Sequence, residues 1–180
     1  MKADVDLSHF DAGMAAALTD ELVEVYLDAH AGDGAFYNED RYRRQLAGHM
    51  KAPGWTLITA QIDGHLVGYI YGFPLQQKTR WWEGIRGGVP DAFTDDPTFA
   101  LCELLVRPAW QRQGIARALH DELIDSRPEP RMTLLARPDN APAQAAYRSW
   151  NWHKVGELQP AWENAPVFDV LVREGSRHPA

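Results

Sequence analysis

The residues best suited to chemistry in this chain lie where an apolar run meets a helical pattern. Glu103 is the one charged residue in the apolar run Phe99–Val106, which has the length and composition of a buried strand. A basic turn around Gly114 follows, and Gly114–Asp125 has the spacing of an amphipathic helix. Because the first backbone N–H groups of a helix are unpaired and carry partial positive charge, this turn is suited to bind a phosphate.

The side chains of the turn also favour an anion site. Gly114 and Ala116 let a ligand approach the backbone closely, and Gln111, Arg112 and Arg117 add polar or cationic donors. The turn lacks the Gly-Lys-Ser/Thr ending of an NTPase P-loop and the Gly-x-Gly-x-x-Gly pattern of dinucleotide-binding proteins. The sequence therefore predicts a phosphate ligand of another kind.

The spacing Gln111-x-x-Gly114-x-Ala116 resembles the acetyl-CoA signature of the GNAT N-acetyltransferase superfamily, which is commonly Gln/Arg-x-x-Gly-x-Gly/Ala. The order of the predicted elements extends this resemblance from the first helix to the last strand. It implies that acetyl-CoA is a co-substrate and that the turn binds its pyrophosphate. The implied cofactor-binding residues of the turn are Gln111, Arg112, Gln113, Gly114, Ile115, Ala116 and Arg117.

Periodicity predicts the elements that position this turn. Helices are predicted over residues 12–31, from residue 38 or 39 to residue 50, and over residues 114–125, with a short fourth helix after Asn140. Strands are predicted over residues 55–62, 65–73, 99–106, 131–136, 152–158 and 167–173. The resemblance implies a GNAT fold of the α/β class, in which a mixed central sheet with a parallel strand pair at the acetyl-CoA site is flanked by about four helices. The family normally begins with a strand, for which Ala3–Phe10 is a poor candidate, so this strand is expected to be short, irregular or missing. We expect one domain over residues 1–174 and a mobile tail over residues 175–180.

The resemblance also implies roles for the strand before the turn. The backbone of Leu104, Leu105 and Val106 would hydrogen-bond the pantetheine arm and the acetyl carbonyl, with one N–H acting as an oxyanion donor. Glu103 lies where many GNAT enzymes place a general base, often acting through water. An amine titrates near ~10.4 and a glutamate near ~4.3, so proton transfer requires a water relay or a raised Glu103 pKa. The alternative is a carboxylate paired with an arginine on a neighbouring element.

The short fourth helix contains two matches to the family pattern and one departure follows it. Tyr147 corresponds to the tyrosine whose hydroxyl lies near the cofactor sulfur, where it would donate a proton to the departing thiolate. The alternative is a core tyrosine, since Tyr147 shares an apolar stripe with Trp150. Asn140 suits a helix N-cap and, by resemblance, a polar contact to the pantetheine arm. Asn151 stands where the family commonly has glycine, and asparagine tolerates the left-handed conformation of such a turn.

The acceptor side is predicted from a long insertion over residues 74–98. It holds the candidate substrate-binding residues Trp81, Trp82 and Glu83 and the acids Asp91, Asp95 and Asp96. An aromatic and acidic wall suits a cationic amine, and tryptophans that plug the surface are the alternative. The implied activity is transfer of acetyl to a primary amine of a small molecule by direct attack in a ternary complex. The alternatives are acetylation of a protein lysine or N-terminus, and a non-catalytic sensor or assembly module that binds a CoA thioester.

Composition and charge argue against several kinds of partner and site. A net charge of −7 argues against a nucleic-acid partner, and no apolar stretch approaches the ~20 residues that span a bilayer, so no membrane partner is expected. The start of the chain lacks the apolar core of a signal peptide, so a cytoplasmic location is expected. The seven histidines lack metal-ligand spacing and the single cysteine, Cys102, suits a buried apolar position, so no metal is predicted. His120 is expected to face solvent, and the oligomeric state stays open, with a homodimer as one alternative.

Overall fold

The computed structural model describes residues 4–87 and 97–175. The chain divides into two compact units, Met1–Phe73 with Leu101–Ser126 and Pro74–Ala100 with Arg127–Ala180. The predicted acidic residues of the insertion, Asp91, Asp95 and Asp96, lie outside the described residues, as does residue 176 onward in the predicted tail.

The first unit begins with a strand, β1 (Asp6–Asp11), that pairs antiparallel with β2 (Thr56–Ile62). This strand is present although Ala3–Phe10 is a poor candidate by sequence. Four of its six residues are exposed, so it lacks the regular apolar alternation by which a half-buried strand is recognised.

The single helix predicted over residues 12–31 is divided. The structure has α1 (Ala12–Ala15), a 3₁₀ turn (Ala16–Leu18) and α2 (Thr19–Ala29). Met14 lies four residues before Leu18 and eight before Leu22, as on one face of a continuous helix, yet it is 59% exposed. The 3₁₀ turn changes the helical phase, so the buried face of α2 does not continue to Met14.

A helix and two strands follow as predicted. The helix α3 (Glu39–His49) begins after Asn38, whose side-chain oxygen caps it by accepting a backbone hydrogen bond. The strands β2 and β3 (His65–Pro74) form an antiparallel hairpin. Its turn residues Asp63 and Gly64 have φ values of +49° and +77°, as a type I′ turn requires.

The strand that carries Glu103 leads into the helix that follows the basic turn. The strand is β5 (Thr98–Val106), and a 3₁₀ turn (Pro108–Trp110) connects it to α4 (Ile115–Ser126). The buried side chains of α4 are Ile115, Leu119, His120, Leu123 and Ile124. His120 is only 1% exposed, so the expectation that it faces solvent is wrong. The buried face of α4 includes a second row of side chains beside Ile115, Leu119 and Leu123, and His120 lies in that row. The buried His120 ring has a hydrogen-bond partner, since its Nδ1 lies 2.9 Å from Asp121 Oδ1.

The strand order explains the fold class. In the first unit the order is β1-β2-β3-β5. The second unit contains the first residues of β5 and then β6 (Arg131–Ala136), β8 (Phe168–Glu174), β7 (His153–Leu158) and β4 (Ile85–Arg86) in spatial order. Neighbours β5 and β6 are parallel, whereas β6, β8, β7 and β4 pair antiparallel. The predicted mixed sheet with a parallel pair is confirmed.

The helices also agree with the predicted α/β fold class. Within the described ranges, four helices have nine residues or more: α2, α3, α4 and α5 (Ala141–Ser149). None of the helices described is long and apolar enough to cross a bilayer. Nor do the described residues include a group of three or more His, Cys, Asp or Glu side chains placed to hold a metal ion.

The core of the first unit is rich in tyrosine. Tyr26, Tyr42, Tyr69 and Tyr71 are all buried, and they belong to one apolar cluster with residues of α2, α3, β2, β3 and β5. Because α2 and α3 share this cluster with β5, polar side chains on α3 lie within reach of Glu103.

Candidate active site

Glu103 lies on β5, where it is surrounded by protein yet partly open to solvent. Burial raises the pKa of its carboxyl from an ordinary 4.5 to about 7, and the charge of Arg41 and a hydrogen bond from Gln45 oppose that rise. A carboxyl group with this pKa is about half ionised near neutral pH. It can therefore both accept and release a proton there.

Gln45 and Arg41 lie one turn apart on α3 and connect to Glu103 in series. Gln45 Nε2 donates to Glu103 Oε1 at 3.1 Å, and Arg41 Nη1 donates to Gln45 Oε1. Arg41 also donates from Nη2 to Tyr26 Oη and from Nε to the Phe36 carbonyl, the latter at 2.6 Å. The carboxylate thus receives its hydrogen bond from an amide, and the arginine acts one bond further along the series.

Tyrosine side chains pack around this series. The rings of Tyr26 and Tyr42 stack with centroids 3.7 Å apart and planes 3° apart. Tyr69 Oη donates to the Leu22 carbonyl at 3.1 Å, so Tyr42 Oη is the donor in its 2.5 Å hydrogen bond with Tyr69. Burial, with the Glu103 charge as a further cause, raises the pKa of Tyr42 and Tyr69 well above the usual range. These hydroxyls stay neutral, and the packed rings contribute to the poor solvation of the carboxylate.

Cys102, the neighbour of Glu103, packs its partly buried side chain against the core of the first unit. Burial, followed by the Glu103 charge, raises the pKa of its thiol well above the ordinary 9.0. The thiol is therefore protonated at neutral pH, and a protonated thiol is a poor nucleophile.

The turn between β5 and α4 has the backbone of an anion site. Arg112 and Gly114 have φ values of +61° and +84°. Left-handed residues in a turn direct successive N–H groups into a concavity that suits an anion. A Cβ added at Gly114 would meet no atom within 4 Å, so the space beside its backbone is open. The first turn of α4 is fully described and has no acidic residue that would repel an anion. These features fit a phosphate group at the N-terminus of α4.

Several side chains of the turn contact the protein itself. Gln111 Nε2 donates to the Val106 carbonyl at 3.0 Å, which ties the turn to the end of β5. Arg117 Nε lies 3.3 Å from Asp121 Oδ2. Ile115 is only 2% exposed, so its side chain belongs to the buried face of α4. The remaining predicted residues of the turn are exposed or half-buried: Arg112, Gln113, Gly114 and Ala116.

The end of β5 is pressed against β3. A Cβ added at Gly68 would lie 2.6 Å from the Leu105 carbonyl oxygen, closer than such atoms approach in proteins. The Arg107 backbone N–H donates to the Val67 carbonyl at 2.8 Å, so pairing with β3 extends past Val106. Of the three residues predicted to use their backbone, Leu105 and Val106 are buried and Leu104 is half-buried.

The predicted Asn140 and Tyr147 lie on α5 in the second unit. Asn140 caps α5 by accepting a hydrogen bond from the Ala143 N–H at 3.2 Å, which confirms the N-cap interpretation. Tyr147 is half-buried, and its ring meets those of Trp150 and Trp152 edge to face, with centroids 5.8 and 6.0 Å apart. Asn151 has a φ of +65°, so it adopts the left-handed conformation expected where the family commonly has glycine.

The three predicted acceptor residues also belong to the second unit. Trp81 and Trp82 are half-buried and Glu83 is exposed. The two Glu83 carboxylate oxygens accept hydrogen bonds from Arg80 at 2.8 and 3.0 Å, which lowers the pKa of Glu83. A cationic acceptor at Glu83 would therefore have to compete with Arg80.

Sequence reasoning did not single out the polar face of α3. Arg41, Gln45 and His49 recur at intervals of four residues, beside the buried Tyr42 and Leu46. That spacing places the three side chains on one face of the helix. It is the feature of the sequence by which this polar face could have been found. His49 Nδ1 lies 3.0 Å from Tyr71 Oη, and burial, with the charge of Arg41, lowers the pKa of His49 from 6.5 to about 4.

Residues 16–152 match the model of the acetyltransferase (GNAT) family. The match covers most of the chain, and the chain belongs to this family. It is therefore an acyltransferase, of a family whose acetyl donor is acetyl-CoA. None of the curated proteins matches the chain.

Solved structures of acetyltransferases share the fold. The ribosomal-protein-S18-alanine N-acetyltransferase from Escherichia coli is 16% identical, with a TM-score of 0.69 over 98% of this chain and 97% of that one. The aminoglycoside 6'-acetyltransferase type Ii is 17% identical, with a TM-score of 0.65 over 97% and 99%. The PaiA N-acetyltransferase from Thermoplasma acidophilum, solved in complex with coenzyme A, is 10% identical, with a TM-score of 0.58 over 95% and 99%. At these identities the likeness concerns the fold.

Proposed function

We propose that this protein transfers the acetyl group of acetyl-CoA to a primary amine of a small molecule, by direct attack in a ternary complex. The observation that carries the proposal is the Glu103 carboxyl, which is partly open to solvent and whose pKa is raised to about 7. A base with this pKa can take a proton from an attacking amine near neutral pH, directly or through water.

The residues proposed to hold acetyl-CoA fit its chemistry. The positive φ values of Arg112 and Gly114 and the open space at Gly114 suit a pyrophosphate on the backbone of the turn. When bound, acetyl-CoA supplies an activated acetyl group as a thioester. The other proposed contacts are the side chain of Asn140 and the backbone of Leu104, Leu105 and Val106, one N–H of which stabilises negative charge on the acetyl oxygen.

Two further residues bear on the mechanism. Tyr147 is proposed to supply a proton from its hydroxyl on the side of the leaving group. A phenol near ~10 is about 1.5 pKa units less acidic than a thiol near ~8.5, a difference of roughly 2 kcal/mol, which a hydrogen bond can offset. The protonated state of Cys102 supports direct transfer to the amine over an acyl-enzyme on this thiol.

The acceptor is proposed to be a cationic small molecule that meets the aromatic surfaces of Trp81 and Trp82, with Glu83 as a secondary contact because Arg80 already binds it. The names of two structural relatives specify an aminoglycoside and a ribosomal protein as acceptors. Both chemistries therefore belong in the test.

The test is release of free CoA thiol from acetyl-CoA across an acceptor panel of aminoglycosides, polyamines, amino-acid derivatives and peptides with a free N-terminus or lysine. We expect release to be stimulated by one class of small amine. Turnover with peptides alone would overturn the small-molecule acceptor. Stoichiometric acetylation of Cys102 by acetyl-CoA would overturn direct transfer.

A further inference from the structure

The Gln45 amide has only one orientation that satisfies both of its hydrogen bonds. A guanidinium group can only donate, so the Gln45 atom that faces Arg41 must be the carbonyl oxygen. The amide nitrogen must then face Glu103, where it donates to Oε1 at 3.1 Å. Arg41 thus fixes Gln45 as a donor to the carboxylate, and a donor stabilises the ionised form of a carboxyl group.

Arg41 is itself held at several points. Its Nε donates to the Phe36 carbonyl at 2.6 Å, and its Nη2 donates to Tyr26 Oη. Its guanidinium carbon lies 3.9 Å from the centroid of the Phe36 ring. Phe36 lies in the segment between α2 and α3, so these contacts run from that segment through α3 to β5. A guanidinium group fixed in this way keeps the Gln45 amide from rotating.

The titratable groups around Glu103 come from each element that packs there. The Glu103 charge raises the pKa values of groups on α2, α3, β3 and β5, namely Tyr26, Tyr42, Tyr69, Tyr71 and Cys102. Their burial contributes more to these shifts than the charge does. On α3, His49 is kept neutral by burial, and Arg41 supplies positive charge.

We infer that Arg41 and Gln45 are positioning residues, which hold the Glu103 carboxylate in one orientation and stabilise its ionised form for proton transfer from the acceptor amine. The inference rests on the proposed role of Glu103 as general base. Gln45 acts through Glu103, and Arg41 acts both through Gln45 and through the direct effect of its charge on the carboxylate. Loss of either residue raises the pH at which Glu103 ionises and leaves acetyl-CoA binding intact.

The direct test is a carbon-13 NMR titration of the Glu103 carboxyl in the free protein, with Glu103→Gln used to assign the resonance. Gln45→Met removes the donor at similar volume, and we expect the carboxyl midpoint to rise by roughly one pH unit. Gln45→Asn, with an amide one methylene shorter, is the milder second variant and should shift the midpoint in the same direction. The pH profile of kcat/KM should shift by the same amount. At a pH below both midpoints the variant should be roughly tenfold less active than the unsubstituted protein, and above both midpoints the two activities should be similar.

Two matched arginine variants on α3 separate the effect of the position of Arg41 from the effect of losing one positive charge. Arg41→Met and Arg44→Met each remove one positive charge, but Arg44 is exposed. We expect Arg41→Met to raise the midpoint and Arg44→Met to leave it nearly unchanged, because exposed charges are screened by solvent. An unchanged or lowered midpoint in both Gln45 variants would overturn the inference. A raised carboxyl midpoint with an unchanged pH profile of activity would support the effect on Glu103 and reject Glu103 as the base, so the two proposals fail separately.

Discussion

Glu103 illustrates how a single side chain acquires a new property from its surroundings. An exposed glutamate is almost fully ionised at neutral pH and is too weak a base to assist an amine. Burial among tyrosine rings raises the Glu103 pKa to about 7, while Arg41 and Gln45 keep it from rising further. The opposing effects leave a carboxyl group whose ionisation responds to pH in the neutral range.

Replacing Glu103 with glutamine tests this residue with little change of shape. We expect Glu103→Gln to lower kcat by about 100-fold or more, since the amide cannot accept the proton. The affinity for acetyl-CoA should not change, because none of the proposed cofactor contacts uses the Glu103 side chain. Steady-state kinetics and calorimetric titration with acetyl-CoA measure the two effects. Glu21→Gln, at an exposed position on α2, is the control, and full activity in Glu103→Gln would exclude the base assignment.

At the scale of elements, the site depends on how β5 ends and how α4 begins. The predicted helix over residues 114–125 agrees with α4 to within one residue, and the predicted strand over residues 99–106 agrees equally well with β5. The turn between them contains one non-glycine residue in the left-handed region, Arg112. Such a conformation costs about 1 kcal/mol, and strain of this kind is often associated with binding sites.

Two substitutions at Arg112 separate its charge from its backbone conformation. Arg112→Ala and Arg112→Gly both remove the guanidinium group, so we expect both to weaken acetyl-CoA binding to a similar extent. Glycine adopts a positive φ without strain, so Arg112→Gly should be more stable than Arg112→Ala by about 1 kcal/mol. Chemical denaturation and acetyl-CoA titration measure the two properties. Equal stability of the two variants would contradict the left-handed conformation.

The close approach of β3 to β5 gives a second prediction at this scale. Gly68→Ala would place a Cβ 2.6 Å from the Leu105 carbonyl oxygen, so the backbone must shift. We expect the free energy of unfolding to fall by about 1–3 kcal/mol, and kcat/KM to fall because β5 moves. Gly48→Ala is the matched control, since a Cβ there meets no atom within 4 Å and alanine favours the helix. Comparable stability of the two variants in chemical denaturation would reject the steric argument.

At the scale of the whole molecule, two partly buried groups make stability depend on pH in opposite directions. The Glu103 pKa is raised from 4.5 to about 7 in the folded protein, so its contribution to stability is full below pH 4.5 and is lost as the pH rises to 7. The His49 pKa is lowered from 6.5 to about 4, so its contribution is full above pH 6.5 and is lost as the pH falls to 4. Between these values the two effects partly cancel.

A variant that lacks one of these two groups should show the pH dependence of stability that the other group causes. Relative to the unsubstituted protein, we expect Glu103→Gln to gain on the order of 3 kcal/mol in free energy of unfolding between pH 4 and pH 8. His49→Gln, which can still hydrogen-bond to Tyr71, should gain a similar amount as the pH is lowered from 6.5 to 4. Chemical denaturation at a series of pH values measures both. Curves that stay parallel to that of the unsubstituted protein would show that the pKa values are not shifted by folding.

Some errors of sequence interpretation have a common cause at this scale. His120 was expected to face solvent because it lies one position off the apolar column of its helix, yet neighbouring structure covers α4 over a wider arc. The weak first strand was hard to recognise because it is largely exposed and takes its stability from pairing with β2. In both places the tertiary context outweighs the local pattern.

The sequence by itself determined most of the helices and strands, the turn from Gln111 to Ala116 and the family, because periodicity, glycine placement and capping are recorded in neighbouring residues. Only the tertiary structure decided what surrounds Glu103. Gln45 and Glu103 are 58 positions apart, and their hydrogen bond exists because α3 and β5 share one buried cluster. A pKa shift depends on burial and on the charges nearby, and both come from contacts between distant parts of the chain.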